Sequence, residues 1–491
     1  MKRTLVFLAA ALFSLPAAAA AQSAACGACP AVINPATTDW YVDPVGGLDQ
    51  DPNVTPGAGS KSMPFFRLSW AVCYADDNDR IFLLPGIYSP TLNGESYPIQ
   101  FGSTCSMLNI QVIGVAGAAS TILDGENTVT SASGILRFRL MGTGGRLSGV
   151  TVRDYAGTLA AIRLGSTTAG FETHDVEIEN CVIENSAAWG IGTFGPSGAL
   201  GPLKFHDNLF VNCATDGMWL SSLDGTGGGV IFNNTVVGCN NGIRLQGGSW
   251  TLMNNNLTSN AACGVFDFCD PTATACASDA GTGCPLTFAL TNDYNNAFGN
   301  TAANIQGFAA GPNGLSVDPL YVSPGTGNYH LQATSPLIDA GTTALPPQNE
   351  TDGDRDPRAL DGDGNFSAIP DIGYDEVAKY TFVLSSGAIK QGSTASFALG
   401  GPVGGIGNLF LSCSSGNLQL PICGNVLLGL IDPCFSSFGT AVSGGPPLVV
   451  GPIPVTPVLT GLFIHTQAVV VDVSGATITG CQTTNLLSNQ L

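Results

Sequence analysis

An acidic stretch between residues 352 and 363 has the composition of a cation site. Alternating carboxylates occur twice, at Asp352, Asp354 and Asp356 and again at Asp361 and Asp363. Each group could present several oxygens to one cation, and such hard ligands suit Ca²⁺. Neither group has the glycine that an EF-hand loop requires. The sequence predicts a structural Ca²⁺ site formed by these aspartates, and the alternative is a solvated acidic loop held by neighbouring arginines.

Arginine and aromatic residues could line one face of a sheet. The apolar members of several short alternating segments are expected to point inward, namely Ile162, Ile191, Met218 and Ile243. Alternation then places outward a line formed by Arg163, Gly192, Trp219, Arg244 and Phe266. Rings stack on sugars, and guanidinium groups pair with uronate carboxylates. We predict glycan binding by Trp219, Arg244 and Phe266, although Phe266 also permits the opposite register. The alternative is an ordinary solvated face.

The same face supplies candidates for acid–base chemistry. Asp216 and Asp224 flank the strand that contains Trp219, so either could act as a base or bind Ca²⁺. Arg163 and Arg244 could stabilise the charge that forms when a proton leaves the carbon next to a uronate carboxylate. If the protein is an enzyme, these two aspartates and two arginines are the predicted catalytic residues.

Other titratable residues give weaker signals. Glu177 and Glu179 lie on the outer face of another strand, and carboxylates at this spacing could perform the acid–base work of a glycosidase. No groove is indicated there, however. His174 and His206 are interpreted as surface or turn residues. The chain has no G-x-S-x-G, H-E-x-x-H or nucleotide-binding glycine loop in a fitting context.

A degenerate repeat must position these residues. Short apolar strands that end at asparagine recur at intervals of roughly 21 to 28 residues, which is the range of a solenoid, with a longer interval before the last copy. They are Val176 to Asn180, Leu203 to Asn208, Val230 to Asn234, Trp250 to Asn255 and Phe288 to Asn292, with the asparagine ambiguous by one position in some copies. A second strand and a glycine that opens a third follow in the best copies.

Three short strands per interval describe one coil of a parallel β-helix. Strands of successive coils would pair at about 4.8 Å. An asparagine amide has both a donor and an acceptor, so the asparagines of successive turns could bond to one another. The alternative is that asparagine merely favours turns.

The amino terminus and the cysteines indicate export. Residues 1–21 read as a signal peptide, with a lipoprotein anchor at Cys26 as the weaker alternative. No later apolar run is long enough to span a bilayer without interruption by proline.

Fifteen cysteines in an exported chain suggest disulfides. A stapled loop is predicted at Cys263, Cys269, Cys276 and Cys284, further pairs at Cys413 with Cys423 and Cys434 with Cys481, and bonded or stacked thiols at Cys213 and Cys239.

The net charge of −20 argues against nucleic acid or an anionic membrane as partner. The 64 glycines and 30 prolines, with 11% charged residues, suit a turn-rich all-β protein.

The segment from Trp40 to Tyr88 contains Tyr41-Val42-Asp43, Gly46-Gly47, Pro64-Phe65 and Leu83-Leu84-Pro85-Gly86-Ile87-Tyr88. It resembles the amino end of secreted right-handed β-helix proteins of the pectate-lyase-like superfamily. The resemblance implies a β-helix over residues 22–327 with an amino-terminal cap that includes a short helix near Leu68. It also implies that a groove would lie on the third-strand face.

Residues 328–376 contain Asn-Tyr-His-Leu, Asp-Gly-Asp-Arg-Asp-Pro-Arg and Pro-Asp-Ile-Gly-Tyr-Asp-Glu. They resemble the choice-of-anchor Q module that ends many exported bacterial β-helix proteins. The resemblance implies a module that closes the solenoid, an architectural role for His330 and an extracellular setting. Residues 381–491 have little charge and alternate in short segments divided by glycine and proline, which predicts a small β-sandwich.

We therefore predict an all-β protein, a right-handed parallel β-helix followed by a carboxy-terminal β-sandwich, secreted or held at the cell surface. We expect a monomer without a transmembrane span. The favoured function is that of a noncatalytic structural, adhesive or glycan-binding module whose partner is a polysaccharide or a cell-surface glycan. The alternative is a polysaccharide lyase or epimerase that acts on uronates.

Overall fold

The computed structural model describes residues 38–101, 109–139, 144–165, 173, 175–194, 201–222, 227–270, 276, 288–344, 351–365, 367–387, 393–401, 405–412, 414–420, 426–431, 436–450, 463–474, 477–483 and 487–490. The predicted signal peptide, residues 1–21, lies outside these residues, as do His174 and Asp224.

Residues 39–306 form a right-handed parallel β-helix with three strands in each complete coil. The first sheet contains β1 Asp39–Val42, β2 Arg80–Leu83, β5 Gln111–Gly114, β8 Gly145–Ser148, β11 Val176–Glu179, β14 Pro202–His206, β17 Gly228–Phe232, β20 Gly248–Met253 and β23 Phe288–Asp293. The second sheet contains β3 Gly86–Tyr88, β6 Thr121–Asp124, β9 Thr151–Arg153, β12 Val182–Glu184, β15 Leu209–Val211, β18 Thr235–Val237, β21 Asn256–Thr258 and β24 Asn296–Phe298. The third sheet contains β4 Ile99–Phe101, β7 Leu136–Phe138, β10 Ala160–Gly165, β13 Trp189–Phe194, β16 Asp216–Ser221, β19 Asn241–Gln246, β22 Cys263–Asp267 and β25 Ala303–Gln306.

The core lies inside the triangle of sheets, because alternate residues of every strand point inward. On the third sheet the inward column is Ile162, Ile191, Met218, Ile243 and Val265, all almost fully buried. Since each residue stacks on a similar apolar residue of the next coil, the core is continuous along the axis. The inward register predicted from the sequence is confirmed.

Asparagine amides form a ladder at the corner between the first and second sheets. Nδ2 of Asn208 donates to Oδ1 of Asn234 at 3.0 Å, Asn234 donates to Asn255 at 3.0 Å, and Asn255 donates to Asn295 at 2.9 Å. The residues before three of these asparagines, Asp207, Asn233 and Asn254, turn the corner with positive φ angles. Aspartate and asparagine tolerate that conformation better than most side chains. The predicted ladder is present.

Two of the predicted ladder positions were wrong. Asn180 is a turn residue with φ of 50°, and Cys181 takes the ladder position, with its backbone N–H donating to Asn208 at 3.0 Å. Asn292 lies inside β23, and the ladder residue of that coil is Asn295. Each error is a displacement of one to three residues, because several polar residues surround each corner and the repeat has no fixed length.

A short helix, α1 Leu68–Val72, covers the first coils and buries Leu68 and Ala71 against the core. Its first turn is fixed by Glu95, whose carboxylate accepts the backbone N–H groups of Leu68 at 2.7 Å and Ser69 at 3.1 Å. Such a cover protects the strand edges that the first coil would otherwise expose.

Residues 328–376 pack along the corner between the first and second sheets and contact coils from Gly114 to Asn254. Buried Arg358 joins the two parts, since its Nε donates to Oδ1 of Asp207 at 2.6 Å and its Nη2 to the carbonyl of Gly373 at 2.6 Å. Arg355 donates to the carbonyl of Val115 at 2.8 Å. Two further strands, β26 Tyr321–Ser323 and β27 Asn328–Leu331, form an antiparallel pair, and a 3₁₀ turn at Pro324–Thr326 connects them.

His330 ties β27 to the end of this segment. Its Nδ1 lies 2.8 Å from Oδ1 of Asp375, whose Oδ2 accepts the backbone N–H of Leu331 at 2.6 Å. The hydrogen bond to Asp375 raises the pKa of His330 to about 9, against the opposing effect of burial.

The carboxy-terminal residues form antiparallel sheets. The strands are β28 Phe382–Gly387, β29 Ala395–Leu399, β30 Ile406–Ser412, β31 Ser414–Leu420, β32 Val426–Ile431, β33 Ser436–Val442, β34 Leu448–Val450, β35 Phe463–Ser474, β36 Thr477–Thr483 and β37 Leu487–Gln490. A sheet of β28, β29 and β34 and a sheet of β30, β33, β35, β36 and β37 share one apolar cluster that includes Phe397, Leu409 and Val470. This is the predicted sandwich arrangement.

The cysteine predictions are borne out in part. Cys263 and Cys276 form a disulfide, and Cys269 is also disulfide-bonded. Cys213 and Cys239 are free and buried, and the N–H of Cys213 lies 3.3 Å from Sγ of Cys239, so these thiols stack rather than bond. Cys284, Cys413, Cys423 and Cys434 lie outside the described residues. Within the described ranges, no helix has the length and apolarity to cross a membrane.

The ladder predicts a large cost for replacing Asn234. Its Nδ2 donates to Asn255 and to the carbonyls of Phe205 and Phe232, and its Oδ1 accepts from Asn208. Asn234→Ala leaves buried partners unsatisfied, so we expect a loss of about 2 to 3 kcal/mol in the free energy of unfolding. Chemical denaturation followed by circular dichroism measures it. The exposed Asn53→Ala should change stability little, and an equal loss in both variants would contradict the role of the ladder.

The pKa of His330 predicts a pH dependence. Because the folded pKa of about 9 exceeds the ordinary value of 6.5, the stabilisation is fully present below pH 6.5 and is lost as the pH rises through 9. The side chain is about one-third exposed, so we expect an effect of at most about 1 kcal/mol. The measurement is the thermal unfolding midpoint from pH 6 to pH 10, with His330→Gln as comparison. A decline of the same size in that variant would assign the effect to other groups.

Candidate functional site

The predicted outward line exists on the third sheet and is longer than the sequence suggested. Cross-strand pairing aligns Gln100, Arg137, Arg163, Gly192, Trp219, Arg244, Phe266 and Gln306. We call this column the outer row. Its members differ in burial and in bonding partners, and these differences divide it into two parts.

In the carboxy-terminal part of the outer row, charged groups neutralise one another. Nη2 of Arg244 lies 2.8 Å from Oδ2 of Asp216, and Nδ2 of Asn241 donates to Oδ1 of the same carboxylate at 2.8 Å. Asp216 has no exposed surface, and burial raises its pKa against the opposing effect of Arg244. The predicted base and its predicted charge stabiliser therefore form a buried pair with each other.

Aromatic rings complete this part of the row. The guanidinium carbon of Arg244 lies 5.0 Å from the centre of the Trp219 ring, 5.6 Å from Phe266 and 5.3 Å from Phe268. Trp219 is partly exposed, and its ring packs edge-to-face with that of Trp189, with the ring centroids 4.2 Å apart. Phe266 is fully buried, which corrects the prediction that its ring is available to a sugar. Asp224, the other predicted base, lies outside the described residues.

The amino-terminal part of the outer row carries arginines without carboxylate partners among the described residues. Nη1 of Arg163 donates to the carbonyl of Ala132 at 2.6 Å, and its guanidinium lies 4.4 Å from the ring of Phe194. Nη1 of Arg137 donates to Oγ of Ser133 at 3.1 Å. The Nε of Arg163 is buried and has no acceptor there. These guanidinium groups bond only to neutral oxygens of the described residues.

The cations of this pair destabilise one another. Arg137 and Arg163 occupy paired positions of adjacent strands, about 4.8 Å apart along the sheet. Burial and the charges of Arg163 and Arg139 lower the pKa of Arg137 to about 10. Burial also lowers the pKa of Arg163. An anion bound here would offset both the repulsion between the arginines and the cost of burying their charges.

Most other arginines of the described residues are ion-paired. Those within ion-pair distance of a carboxylate are Arg67, Arg80, Arg146, Arg153, Arg244 and Arg358. Arg137 and Arg163 share with Arg355 the bonding to neutral oxygens, but only Arg137 and Arg163 lie side by side on adjacent strands. The sequence analysis missed Arg137 because β7 lies before the recognisable repeats. Its signal was the alternating Leu136-Arg137-Phe138, which fits a third strand.

The five predicted metal ligands do not form one site. Oδ1 of Asp352 accepts the N–H groups of Asp354 at 3.0 Å and Asp356 at 2.7 Å, and its Oδ2 accepts that of Glu376 at 3.0 Å. Asp352 is buried and organises its own loop, while Asp354 faces Nδ1 of His330 at 3.4 Å. A cation shared by Asp352, Asp354 and Asp356 stays a prediction, to which these contacts add no support.

Asp361 and Asp363 converge instead with Asp339, which the sequence analysis did not identify. One carboxylate oxygen from each lies within 4.8 Å of the others. Burial, with the charges of Asp363 and Asp361, raises the pKa of Asp339 to about 6. Three carboxylates at this distance can supply a hard cation with oxygen ligands. Asp339 is distant in sequence and lies in the Leu-Ile-Asp-Ala-Gly segment, so alternation did not reveal it.

Glu177, Glu179 and His206 meet on the outer face of the first sheet. One ligand atom from each lies within 4.8 Å of the others. His206 has no exposed surface, which corrects its interpretation as a surface or turn residue. The two glutamates are on the outer face as predicted, and pairing of β11 with β14 places Glu179 beside His206.

The comparisons with known proteins concern the β-helix. Residues 113–277 match the family model described as the right handed beta helix region. No curated protein sequence is significantly similar to this chain.

Solved structures similar to the chain include pectate lyase Pel9A, with 18% identity, a TM-score of 0.36 and coverage of 70% of this chain and 97% of that chain. A rhamnogalacturonan lyase has 17% identity, a TM-score of 0.32 and coverage of 57% and 65%. A GH136 lacto-N-biosidase from Eubacterium ramulus has 10% identity, a TM-score of 0.34 and coverage of 57% and 66%. Values this low transfer no activity to the chain, whereas the family match falls within the three parallel sheets.

Proposed function

We propose that this protein is an exported, noncatalytic β-helix protein that binds an acidic polysaccharide through the amino-terminal part of its outer row. Half-buried Arg137 is the central contact, buried Arg163 supports it from the adjacent coil, and exposed Gln100 lies at the end of the row. The protein acts outside the cell or at its surface. The pairing of two guanidinium groups on adjacent coils, without a carboxylate partner among the described residues, carries this proposal.

The spacing of these arginines suits a polymer better than a small anion. Side chains of adjacent coils repeat about every 4.8 Å, close to the length of one sugar residue, so a chain laid along the axis meets successive side chains. Guanidinium groups form two parallel hydrogen bonds with a carboxylate, as uronates offer. Partly exposed Trp219, farther along the row, provides a ring for a neutral sugar face.

The acidic surface does not prevent this binding. At physiological salt the Debye length is about 8 Å, so distant carboxylates are screened while the arginines in contact are not. Binding of a polyanion should therefore be weak, local and sensitive to salt.

The structure gives less support to a lyase or epimerase. A lyase needs a base beside the charge stabiliser, within hydrogen-bond reach of the substrate. In the described ranges no carboxylate forms an ion pair with Arg137 or Arg163, and Asp216 is already paired with Arg244. We retain the enzyme as the alternative outcome of the test below.

A structural Ca²⁺ is proposed at Asp339, Asp361 and Asp363. The donor set fits, because three carboxylates converge; burial, together with the charges of Asp363 and Asp361, raises the pKa of Asp339. The bound ion would join the segment after β27 to the loop at residues 361–365. It would have no part in glycan binding.

Arg137→Gln should weaken binding of polygalacturonate or alginate about tenfold, since a charge-assisted pair contributes roughly 1.5 kcal/mol. Isothermal titration at low and physiological salt measures it. Arg80→Gln, which removes an equal charge from the first sheet, should bind as the unchanged protein does. Equal loss in both variants, or no binding by the unchanged protein, would contradict the proposal.

The same mixtures test the alternative function. If the protein is noncatalytic, the ultraviolet absorbance of unsaturated uronate products stays constant during long incubation with each polymer. A steady rise that Arg163→Gln abolishes would establish a lyase and overturn the noncatalytic assignment.

Calcium should raise the thermal unfolding midpoint of the protein. At a concentration 100 times the dissociation constant, binding to the folded state adds about 2.7 kcal/mol to stability. Asp363→Asn removes a ligand and should abolish the increase, whereas Asp51→Asn, at an exposed turn, should preserve it. Calorimetric scans with calcium and with a chelator provide the measurement. If the unchanged protein unfolds at the same temperature in both, the site is excluded.

A further inference from the structure

The outer face of the first sheet encloses a histidine among carboxylates. Nε2 of His206 lies 3.2 Å from Oε1 of Glu177 and 3.5 Å from Oε2 of Glu179. On the other side of the ring, Nδ1 lies 2.7 Å from Oδ2 of Asp207. The ring stacks on Phe232 with centroids 4.6 Å apart and planes within 6°. These contacts fix the ring, and they are independent of the outer row and of the proposed glycan.

We propose that Glu177, Glu179 and His206 bind a divalent transition-metal ion of the zinc type. The three ligand atoms lie within 4.8 Å of one another, so small side-chain adjustments bring them around one ion. Zinc is commonly held by imidazole nitrogen and carboxylate oxygen, and three protein ligands leave a fourth position for water. Asp207 supplies the outer carboxylate that usually orients a metal-binding histidine.

The contacts of His206 turn its Nε2 toward the two glutamates. A carboxylate only accepts hydrogen bonds, so Nδ1 of His206 must donate its hydrogen to Asp207. In the neutral ring, the lone pair on Nε2 then faces the oxygens of Glu177 and Glu179, which repel it. Either a proton or a metal ion between these three atoms removes the repulsion. The proton is the competing occupant, and the experiment must distinguish the two.

Neighbouring cations compete with the metal for the two glutamates. Nζ of Lys204 lies 3.3 Å from Oε1 of Glu177, and Arg146 contacts Glu179. Both side chains are more than one-third exposed, and the buried Nε of Arg146 has no hydrogen-bond acceptor among the described residues. These cations partly neutralise the glutamates from the solvent side. Their displacement also opens a path, because Glu177 is the exposed member of the site.

The carboxylate of Asp207, which contacts His206, is also bonded to a buried arginine. Arg358 donates to Oδ1 of Asp207 and lies 3.3 Å from Oε2 of Glu376. Asp207 therefore remains ionised and keeps the hydrogen of His206 on Nδ1. The ion would meet two carboxylate oxygens and one imidazole nitrogen, a mixture that favours Zn²⁺ over Ca²⁺ or Mg²⁺.

Isothermal titration of the full chain with Zn²⁺ tests the site in two buffers of different ionisation enthalpy. We expect saturable binding at a single site, and a heat that differs between the two buffers would report a proton displaced from the cluster by the ion. Glu177→Gln should weaken binding by about tenfold or more, comparable to the loss of a supporting group in other metal sites. Lys204→Ala should strengthen binding roughly two- to fivefold, because it removes a competing cation.

Matched controls exclude other sites and misfolding. Asp293→Asn, in the same outward column of the first sheet, and Asp363→Asn, in the proposed calcium site, should leave the affinity for Zn²⁺ unchanged. Lys204 is an exposed residue, so its variant tests the site even if replacing a glutamate impairs folding. Absence of Zn²⁺ binding in both the unchanged protein and Lys204→Ala would show that a proton alone occupies the cluster. Binding that neither Glu177→Gln nor Lys204→Ala alters would place the ion elsewhere. Either result overturns the proposal.

Discussion

The stacking of coils in register is the constraint on which the rest of the structure depends. The amides of Asn208, Asn234, Asn255 and Asn295 bond from turn to turn and fix where each coil begins its second strand. A shift of one residue would reverse the inward and outward side chains of a strand. Because the ladder prevents such a shift, every outward column brings together residues that are distant in sequence. A functional site in this fold is therefore formed by side chains of one outward column, each supplied by a different coil.

Two outward columns show how this constraint produces different sites. On the third sheet, Arg137 and Arg163 are stacked as like charges, an arrangement that an anionic ligand would relieve. On the first sheet, Arg146, Glu177 and Lys204 alternate in sign along one column, so the fold neutralises most of the charge itself. The neighbouring column adds the carboxylate of Glu179, which lies with that of Glu177 beside His206. The first column suits an external anion and the second a small cation.

The sequence was sufficient to predict the fold and the outer row from Arg163 to Phe266, because both follow from alternation within a strand and from repetition between strands. Trp219 and Arg244 lie in the predicted column for that reason. The burial of Phe266 and the pairing of Asp216 with Arg244 could not be predicted, since they depend on contacts between coils. Asp339 joins Asp361 and Asp363 across a chain reversal, and no local pattern marks that approach. The environment of His206 was missed because Glu177 and Glu179 belong to another coil and because the Asp207 carboxylate is held by Arg358, which is distant in sequence.

Asp207 links the cluster at His206 to the segment that packs along the helix. One of its oxygens accepts from Nδ1 of His206 and the other from Arg358, which also bonds to the carbonyl of Gly373. A proton or a metal ion at Nε2 leaves the Nδ1 hydrogen in place, so either occupant preserves the charge of Asp207 and its bond to Arg358. Loss of both would leave two glutamates facing a lone pair and would weaken the fixed position of the ring. The attachment of residues 328–376 runs through Arg358 and Asp207, so it is compatible with either occupant at Nε2.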